Sequence, residues 1–132
     1  MSEYPDSTFA HAGLDVADMD AVVEWYVANL GLTVARKAEG VMTFLADPTG
    51  RVIVEFYANP SAAVMDFPES HPLTFHLAFL VEDPDATAER LLAAGATVAE
   101  ASKTTAAGDR MVMLRDPFGI RIQFIRRAVP MF

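Results

Sequence analysis

Two stretches of this chain nearly repeat each other, and no other feature limits its possible folds as much. Residues 8–20, TFAHAGLDVADMD, align with residues 73–85, LTFHLAFLVEDPD, so that His11 falls on His76, Val16 on Val81, Asp18 on Asp83 and Asp20 on Asp85. Beyond them Glu24 falls on Glu89, and Gly-Leu-Thr-Val-Ala at 31–35 answers Gly-Ala-Thr-Val-Ala at 95–99. Each copy closes on a turn and a last strand, Asp47-Pro48-Thr49-Gly50 before VIVEF and Asp116-Pro117-Phe118-Gly119 before IRIQF. A spacing of about 65 residues is too long for the unit of a solenoid and fits one module duplicated.

Within each copy the hydrophobic period changes in a fixed order. Residues 9–16 alternate and predict a strand. Asp18 is a suitable N-cap for a helix that carries Val23, Tyr26, Val27 and Leu30 at helical spacing, with Val22 and Trp25 beside them, and Gly31 is a natural stop. Residues 32–37, 41–46 and 51–57 predict three more strands, punctuated by Gly40 and the Asp47–Gly50 turn. The second copy predicts a strand over 73–81 and a helix opened by Asp83 with Pro84 in its first turn. That helix buries Ala88, Leu91 and Leu92 and ends at Gly95. Strands over 96–100, 110–115 and 120–126 follow, with a small, polar, mobile loop expected over 101–109. The expected fold class is therefore α+β, a single domain over 1–132 built from a βαβββ module at 8–57 and another at 73–126. Between them, residues 58–72 hold three prolines and no clear period, and are expected to be a linker.

Composition narrows the function classes. With 132 residues, 52% of them hydrophobic, the chain can bury a real core, yet no apolar run is long enough to span a bilayer. The N-terminus has neither a basic region nor an apolar signal core, so the expected location is cytoplasmic, away from membranes. A net charge of −8 with scattered Lys and Arg argues against a nucleic-acid partner. The absence of cysteine removes disulfides and thiolate metal sites.

The strand faces carry the chemistry. Phe75, Leu77, Phe79 and Val81 form one wholly apolar face, suited to packing under the module's helix, opposite Thr74, His76, Ala78 and Leu80. The same division sets Ala10, Ala12, Leu14 and Val16 against Phe9, His11 and Gly13, and Val52, Val54 and Phe56 against Ile53, Glu55 and Tyr57. In the last strand Ile120, Ile122 and Phe124 oppose Arg121, Gln123 and Ile125. His11, Glu55, His76 and Gln123 thus point away from the helix layer. Two imidazoles, a carboxylate and an amide make a donor set suited to Zn, Ni, Co, Mn or Fe(II). A single strand histidine is more often a hydrogen-bonded structural residue. Repetition makes the case here, because two of the three histidines occupy equivalent positions. His71 has no repeat partner and is expected to be a solvated loop residue.

Paired βαβββ modules with His on each first strand and Glu or Gln on each last strand resemble the vicinal oxygen chelate superfamily. That group holds glyoxalase I, methylmalonyl-CoA epimerase, extradiol dioxygenases and the fosfomycin- and bleomycin-resistance proteins. The resemblance runs from about Phe9 to Ile125 and is most specific at the Asp-Pro-Phe-Gly-Ile-Arg-Ile-Gln ending. It implies a cup of mixed β-sheet, a homodimer, and metal ligation by His11, Glu55, His76 and Gln123. One register choice matters: Glu55 lies five residues after Gly50, whereas Gln123 lies four after Gly119. An ungapped match would put Val54 at the ligand position and turn Glu55 toward the helix layer, where a carboxylate is costly. The order His, Glu, His is most similar to small bacterial glyoxalase I enzymes, which carry Glu where this chain has Gln123. The resemblance therefore implies a metal-dependent lyase or isomerase that handles a small substrate with vicinal oxygens through an enediolate-like intermediate, with Glu55 as the proton-transfer residue. The rival implication is a non-catalytic protein that sequesters an antibiotic. An extradiol dioxygenase fits less well, because its carboxylate would stand at 123, and an epimerase would carry Glu and Gln in the opposite modules.

Overall fold

A computed structural model describes residues 7–71 and 73–131. The elements run β1 (Ala12–Asp15), α1 (Met19–Leu30), β2 (Thr33–Ala38), β3 (Met42–Ala46), β4 (Val52–Tyr57), β5 (Leu77–Leu80), α2 (Pro84–Ala93), β6 (Thr97–Thr104), β7 (Arg110–Arg115) and β8 (Arg121–Arg126). The chain divides into two compact units, Met1–Met65 and Asp66–Phe132, each with the order βαβββ. The fold is α+β, two tandem modules as the repeat predicts. Each unit holds a mixed four-stranded sheet, ordered β1-β4-β3-β2 in the first and β5-β8-β7-β6 in the second. The first strand of each pairs in parallel with the last, because a helix and two strands intervene between them.

The helix ends follow from local chemistry. The carboxylate of Asp18 accepts a hydrogen bond from the backbone N–H of Ala21 (3.1 Å), and Asp83 accepts one from Ala86 (3.0 Å). Gly31 closes α1 in the left-handed conformation at φ 69°. In the first unit α1 buries Met19, Val22, Val23 and Tyr26, with the Tyr26 ring edge-on to Phe56 at 5.3 Å. In the second, α2 buries Ala88 and Leu91, the sheet contributes Leu114, Ile122 and Phe124, and Ile120 is buried just before β8. Val27 and Leu92, expected in the buried stripes, are exposed. Among the described residues no helix is long and apolar enough to cross a membrane.

Two departures from expectation have visible causes. Both histidine-bearing strands start late, so His11 and His76 each stand one residue before β1 and β5. Before β5 the backbone is committed elsewhere. Thr74 N–H bonds the His71 carbonyl (2.9 Å), Leu73 N–H bonds His71 Nδ1 (3.0 Å), and the Phe75 carbonyl accepts from Arg121. The loop expected over 101–109 is shorter than predicted, because β6 continues to Thr104 through two register shifts and only the stretch before Arg110 turns. Such bulges are common on edge strands, and β6 is an edge.

The ladder accounts for the extra residue between turn and ligand position in the first copy. Glu55 pairs with Gly13 and Gln123 with Ala78, positions that correspond in the repeat. In the antiparallel direction Leu45 faces Val54 and Ala46 faces Val52, which skips Ile53. The matching rungs of the second unit, Leu114 with Ile122 and Arg115 with Arg121, are continuous. One bulge at Ile53 therefore absorbs the additional residue and keeps Glu55 in the rung that Gln123 occupies.

Candidate functional site

In the first unit three side chains meet. Glu55, near the middle of β4, is 6% exposed. Its Oε1 lies 3.2 Å from Nε2 of His11 and also accepts a hydrogen bond from the hydroxyl of Tyr57. Tyr57 reaches it because residues two apart on a strand share a face. The His11 ring stands edge-on to Phe44 at 4.9 Å, and Phe44 is the rung partner of Glu55 on β3. Imidazole, carboxylate and phenol are thus held by one strand, its neighbour and the residue leading into β1. The hydrogen bond to Glu55 raises the Tyr57 phenol above its ordinary range, with burial and the carboxylate's charge adding to it. Tyr57 accordingly stays a donor.

The spacing of the His11–Glu55 pair is that of a hydrogen bond and is also compatible with two ligands of one divalent cation. Two donor atoms held at about 2.1 Å from one ion, at octahedral or tetrahedral angles, stand about 3.0–3.4 Å apart. The pair's 3.2 Å lies in that range. Among the described residues no third His, Cys, Asp or Glu joins them.

In the second unit Gln123 occupies the rung of Glu55 and His76 the place of His11. Both are half-buried. The Gln123 amide Nε2 rests on the sulfur of Met111 at 3.6 Å, and Ile125 stands where the first unit has Tyr57. His71 is exposed, as expected of a loop residue.

Sequence reasoning assigns no role to three residues that the geometry singles out. Tyr57 falls on the Glu55 face by the period of two, which is the one signal that could have found it. Gly13 is the second: a Cβ built there would meet the Tyr57 ring at 3.0 Å. The third is Arg121, fully buried. Its guanidinium donates to the carbonyls of Phe67 (2.8 Å), Ser70 (2.9 Å) and Phe75 (2.9 and 2.8 Å), and to the Ser70 hydroxyl (2.6 Å). Burial, and then the charge of Arg115, hold its pKa below the usual arginine value. These bonds fasten the segment before β5 and so the approach to His76.

The chain matches the family model described as Glyoxalase/Bleomycin resistance protein/Dioxygenase superfamily over residues 8–124. No curated protein matches it at a significant level. Among solved structures, lactoylglutathione lyase from Agrobacterium tumefaciens is similar at 21% identity and a TM-score of 0.69, over 93% of this chain and 96% of that one. A glyoxalase-related enzyme from Fulvimarina pelagi aligns at 21% identity with a TM-score of 0.71, over 92% of this chain and 89% of its own. A glyoxalase/bleomycin resistance protein from Albidiferax ferrireducens T118 aligns at 21% identity with a TM-score of 0.66, over 92% and 99%. At these identities the structural likeness concerns the fold.

Proposed function

The chain belongs to the Glyoxalase/Bleomycin resistance protein/Dioxygenase superfamily, and from that premise we propose that it is a metal-dependent, glyoxalase-like lyase or isomerase acting on a small substrate with vicinal oxygens. The observation that carries this reading is the His11–Glu55 pair: a nearly buried carboxylate, 3.2 Å from an imidazole, on the rung that corresponds to Gln123. His11 and Glu55 of the first unit, and His76 and Gln123 of the second, are the residues that would serve as ligands of a divalent ion. When bound, such an ion supplies Lewis acidity that stabilises negative charge on the substrate's adjacent oxygens. Glu55 takes a proton from one oxygen-bearing carbon and returns it to the next. The shift leaves the redox balance unchanged and calls for no oxidant. Gln123 offers a carbonyl oxygen as ligand and cannot serve as base near neutral pH. His11, steadied against Phe44, keeps its Nε2 beside the carboxylate. We also read the protein as a homodimer with two equivalent sites, a reading that light scattering at micromolar concentration tests.

One observation favours a rival reading. The second unit's ligand position carries an amide packed on Met111 rather than a carboxylate, which suits a protein that binds an antibiotic without turning it over. Metal analysis of untagged protein, followed by a screen against 2-oxoaldehyde hemithioacetals, separates the two. Stoichiometric metal and turnover support the enzyme. Tight drug binding by metal-free protein, with no turnover of any adduct, assigns it to the sequestering class.

A further inference from the structure

The Tyr57 hydroxyl meets Glu55 on the same oxygen, Oε1, that faces His11. Among the described residues Oε2 has no hydrogen-bond donor. A carboxylate on a strand can rotate about its terminal torsion, which is broad and roughly two-fold. The Tyr57 donor on Oε1 removes that freedom on the side that faces His11, and Oε2 keeps no donor among the described residues. The ring that delivers the hydroxyl needs room, and Gly13 provides it. Gly13 lies on the rung of Glu55, its backbone is not in the left-handed region, and a Cβ there would press on the Tyr57 ring at 3.0 Å. Glycine inside a strand weakens it and often marks a close approach by another group. Here that group is an aromatic ring. The second unit has Ala78 on this rung and Ile125 two residues after Gln123, so neither the opening nor the donor recurs there.

From these contacts we propose that Tyr57 is a positioning residue that orients the Glu55 carboxylate, and that Gly13 is the opening that admits its ring. The proposal rests on the reading of Glu55 as metal ligand and proton-transfer group. Tyr57 acts through Glu55: it presents Oε1 to the His11 side and turns Oε2 toward the substrate. Loss of an outer partner of this kind typically costs about tenfold to a hundredfold in metal affinity or activity.

The test uses the full-length protein loaded with Co(II), with Tyr57→Phe, Gly13→Ala and Glu55→Gln side by side. Tyr57→Phe keeps the ring and deletes only the donor, so the fold should survive, as circular dichroism would confirm. Its expected signature is an altered Co(II) visible spectrum together with a kcat about tenfold or more below the parent and a KM within about threefold. Gly13→Ala should reproduce that spectrum by pushing the ring aside, and Gly13→Ala combined with Tyr57→Phe should add nothing further. A Tyr57→Phe protein with the parent's Co(II) spectrum overturns the proposal, whether or not a substrate has been found. If Glu55→Gln also leaves the spectrum and turnover unchanged, the reading of the site itself fails. If Glu55→Gln removes both while Tyr57→Phe changes neither, only the positioning role is lost.

Discussion

On the rung beside Gly13 stands a carboxylate with an imidazole and a phenol on one of its oxygens; on the corresponding rung beside Ala78 stands an amide lying against a thioether. The arginines differ in the opposite sense. In the first unit Arg51 reaches the Phe9 carbonyl at 2.9 Å in an exposed contact. In the second, Arg121 reaches the Phe75 carbonyl from a fully buried position and also holds those of Phe67 and Ser70. On that rung, counted along the ladders, the first unit carries Val52. Duplication kept the backbone order while the buried polar chemistry separated. The first unit concentrates proton-handling groups near its His, and the second commits a buried cation to holding the segment that leads to its His. A βαβββ ladder thus fixes where a side chain stands and leaves open what that side chain does.

The sharpest way to break this comparison is at Glu55. Glu55→Gln should lower turnover by about 10²- to 10⁴-fold, the usual contribution of a positioned general base. The amide can still accept from Tyr57 through its carbonyl, so circular dichroism and the melting transition should stay close to the parent. Steady-state rates on a hemithioacetal substrate measure the effect. Full activity in this variant would move proton transfer away from the first unit.

Arg121 carries the next largest effect, on stability rather than rate. Arg121→Met leaves the Phe75 carbonyl without a donor and the Phe67 and Ser70 carbonyls with only 3.4 Å contacts, from the Ser70 hydroxyl and from Arg115. At about 1–3 kcal/mol for a buried acceptor left unsatisfied, and less for the two that keep a longer contact, a loss of about 2–4 kcal/mol is expected. Val52→Ala, on the corresponding rung of the first unit, removes only part of a half-buried aliphatic chain and should cost under about 1.5 kcal/mol. Urea midpoints of the two variants give the contrast directly. Equal losses would mean that the segment before β5 is held by packing alone.

How much of this was legible beforehand depends on the range of the interactions. The two βαβββ modules, both N-caps and the apolar faces of β4, β5 and β8 follow from periods of 3.6 and 2 and from capping residues, which act within a few positions. The equivalence of Glu55 with Gln123 was reachable as well, because slipping the strand by one residue would bury a charge. The bulge at Ile53 that implements it was not. Arg121 looked like an ordinary polar residue on an alternating strand, since its partners lie 46 to 54 positions away in a segment without a period. The late start of β5 shares that cause, because Arg121 takes the Phe75 carbonyl that a strand would use. The pairing of Gly13 with Tyr57 is a contact between strands 44 residues apart in sequence, and neither residue type announces it.

His76 probes the second unit's contribution to metal binding. His76→Ala should weaken binding by about an order of magnitude or more, as expected for one of few imidazole ligands. Calorimetric titration of apo-protein with Zn(II) or Ni(II) measures it, with His11→Ala as the reference from the first unit. Comparable losses mean that the two histidines serve one ion. An unchanged affinity in His76→Ala would leave the ion to the first unit.

The mildest change, and the one that bears most directly on the difference between the units, is Gln123→Glu. With neutral imidazoles and one carboxylate around a divalent ion, the site carries a formal charge of +1; a second carboxylate brings it to zero. Added negative charge at ligand distance should tighten metal binding by roughly threefold to tenfold, less than bare Coulomb attraction suggests because the carboxylate must first be desolvated. The same neutralisation should make bound water less acidic and weaken the pull on anionic substrates. Any glyoxalase turnover should nevertheless rise, because the variant gains a second group able to take a proton, on the rung that corresponds to that of Glu55. Metal titration and steady-state rates on the one variant read both effects. Tighter metal with higher turnover means that the amide at 123 is all that separates this chain's donor set from a two-carboxylate site. Tighter metal with lower turnover means that the chemistry depends on the more electropositive ion, and that the neutral amide packed on Met111 is a functional choice of the second unit.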